Sequence, residues 1–86
     1  MSHLNLENLE PVARYMDRLR ELYPEPYNHH EVVLRTPEGK EFSVYPPEGR
    51  ADLIAITGGG KYELFHTVQE ANQYLKGLGF EKLPEV

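Results

Sequence analysis

The sequence predicts an α+β two-layer sandwich with the element order α-β-β-β-β-α, in which two helices cover a four-stranded antiparallel meander. Three observations support this fold class. Two stretches in which apolar and polar residues alternate each surround a short turn, at 37–39 and at 58–60. A segment with helical spacing of apolar residues precedes the first stretch, and another follows the second. The 86 residues suit a single domain over 1–86, with short flexible ends at 1–5 and 84–86.

The first helix is predicted to begin after Asn8, a suitable N-cap that places Pro11 in the first turn, where a missing N–H costs little. Pro24 should end the helix. Between these residues an apolar stripe recurs at helical spacing, formed by Leu9, Val12, Met16, Leu19 and Tyr23. The stretch 23–30 has two prolines and no periodicity, so it is predicted to be an extended connection.

The first hairpin is predicted to turn at 37–39, through a type I turn closed by Gly39 in the left-handed region. This loop sets the register of both strands. The inner-face pairs are Leu34–Phe42 and Val32–Val44, and the outer-face pairs are Arg35–Glu41, Val33–Ser43 and Glu31–Tyr45. Residues 46–51 should connect the two hairpins.

The second hairpin contains three consecutive glycines at 58–60, and glycine adopts positive φ without steric cost. If all three form the loop, four apolar side chains share the inner face, namely Ile54, Ile56, Tyr62 and Leu64. The same register pairs Leu53 with Phe65 on the outer face.

The second helix is predicted to begin at a capping box, with Thr67 as N-cap and Glu70 three residues later. Gly79 suits the left-handed position after the helix and lets Phe80 fold back on Leu75. The apolar face of this helix is formed by Val68, Ala71, Leu75 and Leu78.

An apolar row on the outer face of the sheet is the strongest functional candidate. The predicted registers place Val33, Tyr45, Leu53 and Phe65 there. If both helices pack on the inner face, this row stays exposed, and an exposed apolar patch usually indicates a partner. The alternative is that one helix or the tail covers the row.

Charge and composition limit the classes of partner. The net charge is −5, with nine Lys and Arg against fourteen Asp and Glu spread along the chain. Such a surface disfavours nucleic acids and anionic membranes. Cysteine is absent, which leaves no disulfide framework and makes the cytoplasm the expected compartment. No apolar run has the length of a membrane span.

Sequence features that suggest chemistry are weak. The stretch 57–61, Thr-Gly-Gly-Gly-Lys, lacks the spacing of a phosphate-binding loop and leads into a strand instead of a helix. No Ser or Cys has the context of a nucleophile, and Asp52 and Glu63 are as readily explained as solvated carboxylates. We therefore expect no catalytic activity and no cofactor.

Histidines suggest one alternative, a metal or small-ligand site formed through His29, His30 and His66. His29, His30 and Glu31 adjoin the first strand and His66 ends the last, so one end of the meander could gather them around Zn²⁺. Adjacent strand residues point to opposite faces, however, so His29 and His30 would not both reach one metal. We expect added zinc to leave the melting temperature unchanged.

A second alternative comes from element order. Within the predicted elements the order α-β-β-β-α resembles the double-stranded RNA-binding domain, which would imply an RNA-binding module. That family contacts phosphates through lysines at the start of its last helix. The matching stretch at 68–72, Val-Gln-Glu-Ala-Asn, has a glutamate and no positive charge, and the sequence predicts one strand more. The favoured function is thus a small acidic module that binds a protein or a second copy of itself, as a regulator, inhibitor or adaptor.

Overall fold

The computed structural model describes residues 4–86 and has the predicted α+β fold. A 3₁₀ turn at Leu6–Asn8 leads into the first helix. The elements are α1 (Leu9–Leu22), β1 (Val32–Arg35), β2 (Glu41–Tyr45), β3 (Ile54–Gly58), β4 (Lys61–Phe65) and α2 (Val68–Gly77). The strands form one antiparallel sheet in the order β1-β2-β3-β4. The order α-β-β-β-β-α is therefore confirmed.

Helix α1 begins where the sequence predicts, but Asn8 has a different role from the expected one. Its side chain caps nothing in α1. Instead its amide donates to the carbonyl of Asp52 and, over 2.8 Å, to the carbonyl of His66. The amide thus ties the start of α1 to both ends of the second hairpin. The preceding 3₁₀ turn is capped by Asn5, whose side-chain oxygen accepts from the N–H of Glu7.

The first hairpin has the predicted register, with Leu34 opposite Phe42 and Arg35 opposite Glu41. Its turn closes through a hydrogen bond of 2.8 Å from the N–H of Thr36 to the carbonyl of Lys40. Both inner pairs of this hairpin are buried. Turn chemistry and apolar pairing therefore agree here, as a consistent sequence requires.

The second hairpin departs from the predicted register by one residue. Gly58 pairs with Lys61 as the last strand positions, so only Gly59 and Gly60 form the loop, with φ of 62° and 78°. Two successive residues with positive φ make a type I′ turn, whose twist matches that of paired strands. Because side chains alternate, the shorter loop moves every side chain of β4 to the opposite face. Tyr62 and Leu64 therefore lie on the outer face, and the prediction that they line the core is wrong.

A packing contact explains why Gly58 belongs to the strand. A Cβ at this position would lie 2.3 Å from the Phe42 side chain and 2.7 Å from the carbonyl oxygen of Glu41. The Phe42 ring thus occupies the space that a side chain at 58 would need. On the inner face of β4 the register leaves Lys61, Glu63 and Phe65.

Helix α2 and the segment after it follow the sequence prediction. Thr67 accepts a hydrogen bond of 3.1 Å from the N–H of Glu70. At the other end, the N–H of Phe80 donates to the carbonyl of Leu75, and Gly79 has a φ of 105°. This is the Schellman arrangement, and it turns Phe80 back into the core.

Both helices pack on the inner face of the sheet. One core joins them to it, and its buried members are Val12, Tyr15, Met16, Leu19, Val32, Leu34, Phe42, Val44, Ile54, Ile56, Val68, Ala71, Leu75 and Phe80. A buried polar link also connects the two helices, since the Tyr15 hydroxyl of α1 donates to the Asn72 side chain of α2 over 2.7 Å. Asn72 in turn donates to the carbonyl of Pro84.

The chain ends were expected to be flexible at 1–5 and 84–86. Residues 1–3 lie outside the described residues. Asn5 contacts the domain through its backbone, whose N–H donates to the carboxylate of Asp52 over 2.9 Å. At the other end Pro84 is buried. Both positions are therefore in contact with the rest of the domain.

Candidate functional site

The outer face of the sheet is not covered by either helix, and its side chains form rows across the strands. The first row runs from β1 to β4 and contains Val33, Ser43, Thr57 and Tyr62. The second row runs from β2 to β4 and contains Tyr45, Ala55 and Leu64. We call these seven residues the outer face.

The exposure of these side chains rises toward β4. Val33 and Tyr45 are half-buried, whereas Tyr62 is 57% exposed and Leu64 is 42% exposed. Ala55, in the central strand β3, is fully buried although its side chain lies on this uncovered face. Its two row neighbours, Tyr45 and Leu64, flank it and shield its small side chain. The second row is therefore a continuous apolar strip.

Two of the four sequence-predicted partner-binding residues lie on this face. Val33 and Tyr45 are where the first hairpin's register places them. Phe65 is on the inner face, opposite Ile54, with its ring 5.1 Å from that of Tyr74 in α2. Its assignment to the outer row is corrected, because the two-residue loop reverses β4.

The fourth residue, Leu53, precedes β3 and is only 4% exposed. Its N–H donates to the carbonyl of Arg50, so it belongs to the turn that leads into the strand. It is therefore not available as a surface residue, and its assignment to the outer row is corrected as well.

Sequence reasoning missed Tyr62 and Leu64 as surface residues, and one signal could have found them. A pair of glycines is among the preferred sequences for a two-residue hairpin loop, which is the commonest hairpin connection. Choosing that loop within 58–60 would have placed both side chains outward. The three-glycine loop instead maximises apolar pairing, which a strand at the sheet edge does not require.

One corner of the outer face is charged. Arg35 and Glu41 form an ion pair there, and both side chains are more than half exposed. The pair is electrically neutral, so the outer face itself carries no excess of either sign near its apolar rows. An exposed ion pair of this kind contributes about 0–1 kcal/mol to stability.

A buried charge network holds the connection between the hairpins. Arg50 donates to both carboxylate oxygens of Asp52, over 2.9 and 2.8 Å. The Asp52 side chain is 1% exposed, so its interpretation as a solvated carboxylate is wrong. The hydrogen bonds from Arg50, assisted by the backbone N–H of Asn5, hold the pKa of Asp52 far below its ordinary value. This network fixes the entry to β3 and thereby the position of the outer face.

The histidines do not assemble into a metal centre within the part of the chain that the structure describes. No group of three or more His, Asp or Glu side chains there could hold an ion. His29 and His30 line a groove between α1 and the strand ends, together with Glu31. His66 is exposed and is not among the residues that line that groove.

The fold and its outer face define a class: a small α+β domain that presents one uncovered face of an antiparallel sheet. Comparison with known proteins gives no matching family model, no matching curated protein and no matching solved structure. Neither helix within residues 4–86 is long and apolar enough to cross a membrane.

Proposed function

We propose that this chain is a small acidic protein-binding module that acts through the outer face of its sheet and has no catalytic activity. The observation that carries the proposal is the exposure of Tyr62 and Leu64 on a sheet face that neither helix covers. Isolated exposed apolar side chains are ordinary, but a contiguous strip is typical of an interaction site.

The composition of the strip also supports a protein partner. Tyrosine is enriched in interfaces because its ring adds a large contact area while its hydroxyl remains satisfied by water or a partner. Tyr45 and Tyr62 lie in neighbouring rows on this face. Aromatic side chains of this kind often act as the anchors of an interface, and Leu64 adds apolar area beside them.

Charge supports protein over nucleic acid or membrane. The chain carries a net charge of −5. Of the two basic side chains in the strands, Arg35 is paired with Glu41, and Lys61 lies on the inner side of β4. Binding to a phosphate backbone requires several unpaired basic groups along one surface. The absence of cysteine is compatible with the cytoplasm as the working compartment.

The two buried groups with strongly shifted pKa values support binding over catalysis. Asp52 is held by Arg50, and the hydroxyl of Tyr15 donates to Asn72 inside the core. Burial raises the pKa of Tyr15, so the hydroxyl keeps its proton. The shift in the pKa of Asp52 thus comes from a structural ion pair and that of Tyr15 from burial, so neither requires a catalytic role.

The test compares wild type with the double variant Tyr62→Ser/Leu64→Ser as immobilised baits in a lysate of the source organism. A protein that binds through the outer face should be retained by wild type and lost from the variant. The free energy of unfolding should stay within about 1 kcal/mol of wild type, because both side chains are largely exposed.

The matched control is Leu6→Ser, which removes an apolar side chain that is 72% exposed and lies outside the sheet. Retention should be unchanged by this control. The proposal is wrong if the bound proteins survive the outer-face variant, or if both variants lose them equally.

A further inference from the structure

The free edge of β4 offers backbone groups to another strand. β4 is the last strand of the sheet, and among residues 4–86 no strand pairs with the edge of β4 that faces away from β3. In a hairpin with a two-residue loop, the residues flanking the loop form a hydrogen-bonded pair, and such pairs alternate along the strands. Since Gly58 and Lys61 flank this loop, the N–H and C=O groups of Tyr62 and Leu64 point away from β3.

The two edge strands differ in how far their side chains are exposed. In β1 the inner side chains Val32 and Leu34 are only 1% and 0% exposed. In β4 the side chains of Lys61, Tyr62 and Leu64 are all exposed. An exposed edge strand is a template for pairing with another chain unless charges oppose it.

The charges on β4 favour one register for the pairing of two copies. Lys61 and Glu63 lie next to each other on the inner side of the strand. An antiparallel register with Glu63 opposite its own counterpart opposes two carboxylates, and one with Lys61 opposite its counterpart opposes two ammonium groups. A register centred on Tyr62 instead places Lys61 of each copy opposite Glu63 of the other.

We propose that two copies of this chain pair antiparallel along β4, with Tyr62 at the two-fold axis. In this register the free backbone groups of Tyr62 bond to those of its counterpart, and two Lys61–Glu63 ion pairs form across the junction. The symmetry is closed, because the same edge is used on both copies and none remains for a third.

Pairing at β4 also enlarges the outer face. The two sheets become one sheet of eight strands, and the exposed Tyr62 and Leu64 side chains of both copies meet at its centre. The inference rests on the proposed function, because it names a second copy of this chain as the protein partner. The second copy binds at the free edge of β4, next to the exposed side chains of the outer face.

The test is a charge-reversal cycle measured by sedimentation velocity over a range of concentrations. Wild type should show a monomer–dimer equilibrium. Lys61→Glu places carboxylates against Glu63, and Glu63→Lys places ammonium groups against Lys61, so each single change should weaken the dimer about tenfold or more. The double change Lys61→Glu/Glu63→Lys recreates both ion pairs and should restore dimerisation.

A mixture of the two single variants provides the decisive measurement. One copy then carries two negative charges and the other two positive charges at the junction, so a heterodimer should form at concentrations where each variant alone is mostly monomeric. Circular dichroism of each variant checks that the fold is intact. A monomeric wild type would overturn the inference. So would a dimer whose stability is the same in the two single variants, the double variant and the mixture.

The outcome is separable from that of the proposed function. The charge changes leave Tyr62 and Leu64 in place, so a foreign protein that binds the outer face is still retained by Lys61→Glu. A monomeric chain that retains such a protein overturns the β4 dimer alone. A dimer that follows the charge cycle in a chain that retains no other protein identifies self-association as the binding activity.

Discussion

The two hairpins of this sheet use their faces differently. In the first, the inner pairs Leu34–Phe42 and Val32–Val44 are buried, and the outer face ends in the ion pair of Arg35 with Glu41. In the second hairpin, the two strands differ in where their apolar side chains lie. β3 contributes buried Ile54 and Ile56 to the core, whereas β4 places Lys61 and Glu63 inward and Tyr62 and Leu64 outward.

This difference separates a hairpin that buries its apolar side chains from one that exposes part of them. From its inner side β4 contributes only Phe65 to the core, and the ring of Phe65 packs against Tyr74. β4 is therefore free to expose apolar side chains that a fully covered strand must bury. The first hairpin shows the arrangement expected of structure alone, and the second shows the departure on which the proposed function rests.

The largest expected effect compares one leucine from each hairpin. Leu34→Ala should lower the free energy of unfolding by about 2–5 kcal/mol, because its side chain is fully buried and the change leaves a cavity. Leu64→Ala should cost less than about 1 kcal/mol, because the side chain is 42% exposed. Urea unfolding of both variants measures the difference. Equal losses would mean that Leu64 is covered and that the outer face is not a free surface.

The next prediction sharpens the register of the second hairpin. Gly58→Ala should cost about 1–3 kcal/mol, because the new methyl group would collide with Phe42 and with the Glu41 carbonyl. Gly59→Asn is the matched control, since asparagine followed by glycine is the preferred type I′ pair. It should leave stability unchanged or raise it by a few tenths of a kcal/mol. If Gly58→Ala is harmless, Gly58 lies in the loop and the register is the three-glycine one.

The smallest expected effect concerns the network between the hairpins. The folded-state pKa of Asp52 is depressed below its ordinary value of 3.8, so its contribution to stability is present above that pH. The contribution should be lost progressively as pH falls below 3.8, where the unfolded chain takes up a proton that the folded chain does not. Urea unfolding of wild type and Asp52→Asn at pH 5 and pH 3 tests this.

Wild type should lose more stability between these two pH values than Asp52→Asn does. Asp17→Asn serves as the control, since that carboxylate is 75% exposed on α1. The prediction fails if the acid loss of wild type persists unchanged in Asp52→Asn.

Most of the fold was predictable, because the relevant signals are local. Thr67 and Glu70 form their capping interaction within one turn, and Gly79 with Phe80 ends α2 as the sequence indicates. The candidate site was predictable only in part. Val33 and Tyr45 follow from a loop whose proline and glycine define one turn, but three equivalent glycines admit two loops. The buried state of Asp52 was not predictable, because its partner backbone at Asn5 lies far away in the chain.

By itself the sequence determined which segments are helices and strands, their order and the register of the first hairpin. Periodicity, capping and turn chemistry act within a few residues, so they can be recognised without the rest of the chain. Only the tertiary structure decided which face of β4 is exposed. Both registers of the second hairpin bury apolar side chains, and the choice depends on the space that Phe42 takes from Gly58 and on the contact of Phe65 with Tyr74. Those contacts join residues that are distant in sequence, and they place Tyr62 and Leu64 on the surface.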